Sequence, residues 1–352
     1  MEEKKKTARE IIEGYDGPPV RIMEVCGTHT HEIFRLGIRK LLPEQVELIS
    51  GPGCPVCVTQ VGFIDEAIYL ALERQVTICT FGDLVRVPGT NMSLAGAREK
   101  GAKIRIVYSP VDAKEYAKEH PKEQVTFLSV GFETTTPSAC LSVKKAREEG
   151  LTNYSILTAN KTMPQAYEAL KGSADIFLYP GHVNAITGTK LCEELAKEGV
   201  SGVVAGFTAK ELLTALAVAL ARFQEGRPFF VNCYPRVVTE NGSPQAQKLV
   251  EEMMEPCDSE WRGLGVIKGS GMRLQEEWSA FDARKKYKIP PIQGKANPAC
   301  RCGDVLQGKC KPSDCKVFGK VCTPQHPVGA CMVSGEGACS AYYMYVEAEK
   351  MK

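Results

Sequence analysis

No stretch of this sequence offers an uninterrupted apolar run near the roughly 20 residues that a membrane-crossing helix needs. The sequence also lacks a basic face. Its formal net charge is +2 with Lys and Arg scattered along it, so nothing in its charge argues for nucleic acid. There is no Gly-Lys-Ser or Gly-Lys-Thr of a phosphate-binding loop, no internal repeat and no low-complexity tract. The first residues, MEEKKKTARE, are charged and are followed by no apolar core of a signal peptide. The expectation is a cytoplasmic protein acting without membrane or nucleic acid.

Cysteine is what the chain has in excess, with 15 in 352 residues. In a reducing compartment such a count does not make a disulfide framework and points to metal ligation or thiol chemistry. Cys26, Cys54 and Cys57 lie early, and seven more fall between Cys300 and Cys339. Cys79, Cys140, Cys192, Cys233 and Cys257 are spaced singly in apolar or helical contexts and read as small buried hydrophobes.

Short apolar runs alternate with helix-like stretches from about Val20 to Val238. Nine candidate strands follow: Val20–Val25, Val46–Ile49, Val76–Thr80, Lys103–Tyr108, Val125–Val130, Tyr154–Thr158, Asp175–Tyr179, Gly202–Gly206 and Phe229–Cys233. The alternation predicts an α/β fold with mainly parallel sheets. The polar stretch Ser109–Glu123 suggests two α/β domains around a cleft, over residues 20–115 and 116–240. Residues 241–352 are rich in Gly, Pro and Cys beyond one expected helix, Ser243–Glu255. They read as a small third domain held by a metal centre, with residues 1–19 packed on it.

Four motifs carry chemistry. Cys26-Gly27-Thr28-His29-Thr30-His31-Glu32 follows an apolar run, which puts thiolate, imidazole and carboxylate at the edge of a sheet. Helix capping by Thr28 or Thr30 is the plain alternative. Gly51-Pro52-Gly53-Cys54-Pro55-Val56-Cys57 places two sulfurs at a helix start, where the thiolate is favoured. Such a pair serves as a redox dithiol, as iron ligands or as half of a zinc site, and no second Cys-x-x-Cys completes a zinc ribbon. Gly131-Phe132-Glu133-Thr134-Thr135-Thr136-Pro137 and Pro180-Gly181-His182-Val183 end strands in the same way, offering Glu133 and His182 to a cleft. The fourth motif is the run Cys300, Cys302, Cys310, Cys315, Cys322, Cys331 and Cys339. An iron–sulfur cluster takes four thiolates, and a structural zinc is the alternative. Cys310, inside a Lys-Cys-Lys triplet, looks least like a ligand.

On these residues the chain resembles the HypD family of hydrogenase maturation factors, over nearly its whole length. The resemblance rests on CGTHTHEIFRLGIRKLLP from Cys26, GPGCPVCVT from Gly51, GFETTTP from Gly131 and PGHV from Pro180. It continues with CGDVLQG from Cys302 and CKVFGKVCTPQHPVGACMVSGEGACSAYY from Cys315. It implies a cytoplasmic scaffold that assembles the Fe(CN)2CO group of NiFe hydrogenases with the chaperone HypC and the cyanide donor HypE. It further implies a 4Fe–4S cluster, with Cys26 as an iron ligand shared with HypC. Cys54 and Cys57 become a redox-active dithiol and candidate iron ligands. The motifs themselves, apart from the resemblance, offer His29 and Glu133 for hydrogen bonding and proton transfer. The cluster would take four of Cys300, Cys302, Cys315, Cys322, Cys331 and Cys339, with Cys302, Cys315, Cys322 and Cys339 favoured. A general thiol oxidoreductase acting on a protein substrate is the alternative function.

Overall fold

A computed structural model describes residues 6–347. All nine expected strands form, here β1 Val20–Glu24, β2 Val46–Ser50, β3 Thr77–Thr80, β4 Ile104–Ile106, β5 Val125–Gly131, β6 Tyr154–Asn160, β7 Ile176–Pro180, β8 Ser201–Ala205 and β9 Phe230–Asn232. Two more, β10 Met254–Trp261 and β11 Gly265–Leu274, follow as an antiparallel hairpin. Every pairing among the first nine is parallel. β5, β6, β7 and β8 are buried along their whole length, because helices cover both faces of a parallel sheet. The fold is therefore α/β, as the alternation predicted.

The strands sort into two sheets, in the orders β2-β1-β7-β8-β9 and β4-β3-β5-β6. The chain builds β1 and β2, leaves to make the whole second sheet, and returns for β7, β8 and β9. The expected division at 115/116 thus does not coincide with the division between sheets. Pairing decides this. β1 sits between β2 and β7, with Asp175 accepting from the Arg21 backbone N–H at 2.7 Å and returning its own N–H to the Arg21 carbonyl at 2.9 Å.

Two other expectations change. The helix Ala8–Glu13 packs on Ala209–Phe223, not on the C-terminal segment, because Ile12 joins the core formed by Leu212, Leu216 and Leu220. Residues 1–5 and 348–352 of the expected third domain lie outside the described residues. The helix expected over Ser243–Glu255 ends at Met253, where the hairpin begins. That hairpin ties the two sheets together. Thr59 bridges Trp261, and Lys161, just past β6, bridges Gly271. Among the described residues no helix is long and apolar enough to cross a membrane.

Candidate functional site

Cys26 follows β1 in extended backbone and stands as the N-terminal cap of helix Gly27–Arg35. It is buried at 1% exposure. Burial pushes its thiol up to about 12, and the backbone N–H groups of His29 and Thr28 pull against that shift. Neither threonine caps this helix. Thr28 donates to Glu336 at 2.6 Å and Thr30 to Glu24 at 2.8 Å. Glu24, fully buried in β1, also accepts from Ser50 at 3.0 Å and from Arg39. These bonds join the strand before Cys26, the helix after it and the end of β2 before Gly51.

The Gly51–Cys54 loop lies directly on Cys26. Gly27 donates its N–H to the Gly53 carbonyl at 3.0 Å. A methyl group on Gly53 would meet the Cys26 nitrogen at 2.1 Å, so only hydrogen fits there. Cys54 caps the short helix Pro55–Val58 and accepts the Cys57 N–H at 3.4 Å. A Cβ on Gly27 would stand 3.1 Å from that of Cys54. The turns after β1 and β2 therefore bring Cys26, Cys54 and Cys57 together, as two adjacent parallel strands dictate.

From Cys57 a set of buried thiols runs inward. The neighbouring Cys331 and Cys54 thiols, together with burial, hold the Cys57 thiol well above the usual range. Cys302 and Cys339 are also neighbours of Cys331. The thiols of Cys302, Cys339 and Cys57 pull Cys331 below the ordinary thiol value, while Cys339 is pushed up by Cys302, Cys331 and burial. Beyond Cys331, the sulfurs of Cys300 and Cys302 lie 3.2 Å apart. Gly329 abuts both, where a Cβ would come within 2.4 and 2.6 Å of their sulfurs. Cys300, Cys302, Cys315, Cys322 and Cys339 line one cavity of about 10 Å³ with Val305, Val317, Phe318 and Met332. Cys331 and Cys310 are not in that wall.

The imidazoles and Glu133 sit around this assembly. His29 is fully buried, donates Nε2–H to the Gly206 carbonyl at 3.0 Å and stacks near Phe207. Its Nδ1 has no partner. Burial, then the nearby His182, lowers His29 to about 3, and burial lowers His182 to about 4, so both are neutral near pH 7. Glu133 accepts the Met163 N–H at 2.8 Å through Oε1, while its buried Oε2 is unpaired. Burial raises it to about 7. His31 faces the Gly335 carbonyl at 3.0 Å and the Tyr345 hydroxyl. A surface pocket of about 450 Å³ opens beside these groups, lined by Thr28, His31, Pro55, Val56, Asp83 and Glu336.

The sequence missed Glu336, which sits in a Ser-Gly-Glu-Gly stretch with no periodicity, and Glu24, whose partners come from three separate segments. It also missed Lys161. This buried lysine donates to Ser259 at 2.6 Å and to the Glu260 carbonyl at 2.8 Å, and burial lowers it to about 7. A polar residue just past a strand was its only signal.

Among the described residues no three or more Cys, His, Asp or Glu side chains are arranged to hold a single metal ion. The C-terminal wall suits a different object. An iron–sulfur cluster takes its four thiolates on separate irons, and this wall supplies five thiols and no competing polar side chain except Arg301.

The HypD family model, described as "Hydrogenase formation hypA family", matches residues 2–346. A hydrogenase maturation factor HypD of Cupriavidus necator is 42% identical over 346 residues, covering 95% of this chain and 91% of that protein. One from Escherichia coli K12 is 43% identical over 339 residues, covering 94% and 90%. One from Rhodobacter capsulatus is 44% identical over 337 residues, covering 93% and 89%.

Proposed function

The chain belongs to the HypD family and acts in hydrogenase maturation, and from that premise we propose that it is the cytoplasmic scaffold on which the Fe(CN)2CO group is assembled. One observation carries this reading: Cys26, Cys54 and Cys57 converge at one sheet edge and connect through Cys331 to a five-thiol cavity. Iron bearing cyanide and carbon monoxide is a soft substrate and suits thiolates. Cys26 holds it, sharing it with a thiolate of the partner chaperone HypC docked at the pocket between Thr28 and Glu336, and HypE supplies cyanide. Cys54 and Cys57 act as dithiol and as further ligands. His29 and His182, both neutral, and Glu133, near its titration point, serve proton and hydrogen-bond roles.

The C-terminal wall is the place for a 4Fe–4S cluster, which when bound supplies one-electron chemistry. Its donor set fits. The space between the thiols is only about that of one water, so loading parts the walls, and the Gly- and Pro-rich loops between the cysteines permit this. Four thiols suffice for the cluster. Of the wall thiols, Cys302 and Cys339 act most strongly on Cys331. One of those two is the spare thiol, and Cys300, Cys315 and Cys322 are ligands with the other. In the redox cycle the Cys331 thiolate attacks Cys57 of an oxidised Cys54–Cys57 pair and releases Cys54. The spare wall thiol then attacks Cys331 and releases Cys57. The disulfide moves inward, and two electrons and two protons end on the Cys54–Cys57 pair.

Infrared spectroscopy of the anaerobically isolated complex tests the scaffold reading. Cys26→Ala removes the cyanide and carbon monoxide stretching bands while leaving the visible absorbance of the C-terminal centre. Bands that persist remove Cys26 as ligand. A protein that reduces disulfides on other proteins and never copurifies with a HypC-type chaperone would be the general thiol oxidoreductase instead.

A further inference from the structure

A cavity of about 1030 Å³ lies outside the assembly site and opens onto the thiol wall. Cys300 and Cys302 form part of its lining, and it shares no lining residue with the pocket beside Thr28 and Glu336, so the wall is reached here from a separate opening. Arg86, Arg262 and Lys295 line it as well, against Glu99 as its one carboxylate. These cations have no acidic partner. Arg86 donates only to the carbonyls of Pro324 and Val333, and Arg262 to that of Thr59. Lys295 is exposed, and no ion pair among the described residues uses its side chain. The Arg262 Nη2 is buried without any acceptor, and its charge acts on Cys300. The segment from Lys295 to Val328 carries six Lys or Arg against two Asp, more positive than the whole chain at +2.

We propose that this groove docks an acidic iron–sulfur electron carrier, a small protein whose surface carboxylates surround a one-electron centre. The proposal rests on the redox role of the thiols given above. Charge complementarity selects the occupant. A cationic groove with an unsatisfied guanidinium beside thiols attracts carboxylates, and steering of this kind speeds encounter more than it tightens binding. A shallow charged surface also suits a transient redox contact, which needs less buried area than a stable complex. Two reduced carriers each give one electron and leave oxidised. With two protons these electrons reduce the disulfide left between Cys331 and the spare wall thiol, restoring the two thiols whose exchange had reduced the Cys54–Cys57 pair. Entry at Cys300 and exit at Cys57 keep the carrier off the face where iron is assembled.

The test uses the full chain, isolated anaerobically, oxidised, and mixed with a pre-reduced acidic ferredoxin freed of excess dithionite. Carrier oxidation is read by visible absorbance and the Cys54–Cys57 state by alkylation and mass. Direct binding of the carrier is measured alongside by calorimetry. Lys295→Glu should slow transfer about threefold to tenfold at low ionic strength, and Glu99→Lys should speed it by a similar factor. The differences should vanish at high salt, as screening requires. Small-molecule reduction by dithionite, compared at high salt where its own negative charge is screened, should be equal in both variants and the parent. Equal ferredoxin rates and affinities in all three proteins overturn the docking proposal. So does a groove that binds inorganic phosphate through Lys295 while carrier transfer ignores both substitutions. A pair that neither ferredoxin nor dithionite reduces removes the dithiol reading itself, and the docking proposal with it.

Discussion

The thiol of Cys57 is a neighbour of the sulfur of Cys331, a residue more than 270 positions further along the chain. Through this contact the dithiol at the edge of the first sheet touches the C-terminal thiol wall. Cys331→Ser should therefore leave the iron content near that of the parent, because Cys331 is not in the wall, yet stop the Cys54–Cys57 pair from cycling. Alkylation and mass spectrometry across a series of redox potentials check this. A normal two-electron transition in the variant would show that the pair exchanges without Cys331.

Gly329 packs against the sulfurs of both Cys300 and Cys302 with no room for a side chain. Gly329→Ala should destabilise the protein by about 1–3 kcal/mol through overpacking and lower its iron content. Gly335, where an added Cβ meets nothing within 4 Å, provides the control. Denaturant unfolding and iron analysis of the two alanine variants should separate clearly.

Single alanine replacements of Cys300, Cys315 and Cys322 should each lose iron and become sensitive to protease, since cluster binding contributes to folding. Of Cys302→Ala and Cys339→Ala, one should retain iron. Cys310→Ala should retain it fully, because Cys310 lies outside the wall. Full iron in all of the first three would refute the assignment.

Glu133 gives a pH signature. Its folded value, raised from 4.5 to about 7, means that the folded state holds the proton more tightly than the unfolded state. Its contribution to stability is complete below about pH 4.5 and is lost as pH rises through 7, by about 3 kcal/mol in all. His29 has the opposite sign. Lowered from 6.5 to about 3, it costs stability as pH falls below 6.5. Glu133→Gln should flatten the loss between pH 5 and 8, measured by urea unfolding at each pH, and leave the acid limb in place (interval of about two proton-binding midpoints).

Glu24 is fully buried against Arg39, Thr30 and Ser50. Glu24→Ala leaves Arg39 without its counter-charge and should cost about 3–5 kcal/mol. Thermal unfolding of the iron-free protein checks this, with Arg39→Ala expected to be similarly severe.

Local sequence was enough for the strands and for the thiol chemistry. Alternating apolar runs bounded by Gly and Pro placed all nine parallel strands, because a strand buried on both faces must be continuously apolar. Cys26, Cys54 and Cys57 could be placed together because each follows a strand in such a fold. The interleaving of the two sheets could not be read, since β1 carries no local mark that β7 will lie beside it. The hairpin β10–β11 escaped for another reason. Between its buried ends β10 holds only half-buried and exposed residues, with Pro256 and a bulge at Cys257 and Ser259, and β11 has no regular alternation, so no apolar run announces them. Five thiols share the C-terminal wall, and Cys331 turns away from it toward Cys57. Cysteines spaced along Gly-rich loops look alike, and only the packing of those loops, Gly303 against Gly263 and Gly329 against Cys300 and Cys302, decides which sulfurs meet. The sequence determined what the site is made of. The tertiary structure decided which thiol faces which, because contacts between distant segments depend on packing that no local pattern encodes.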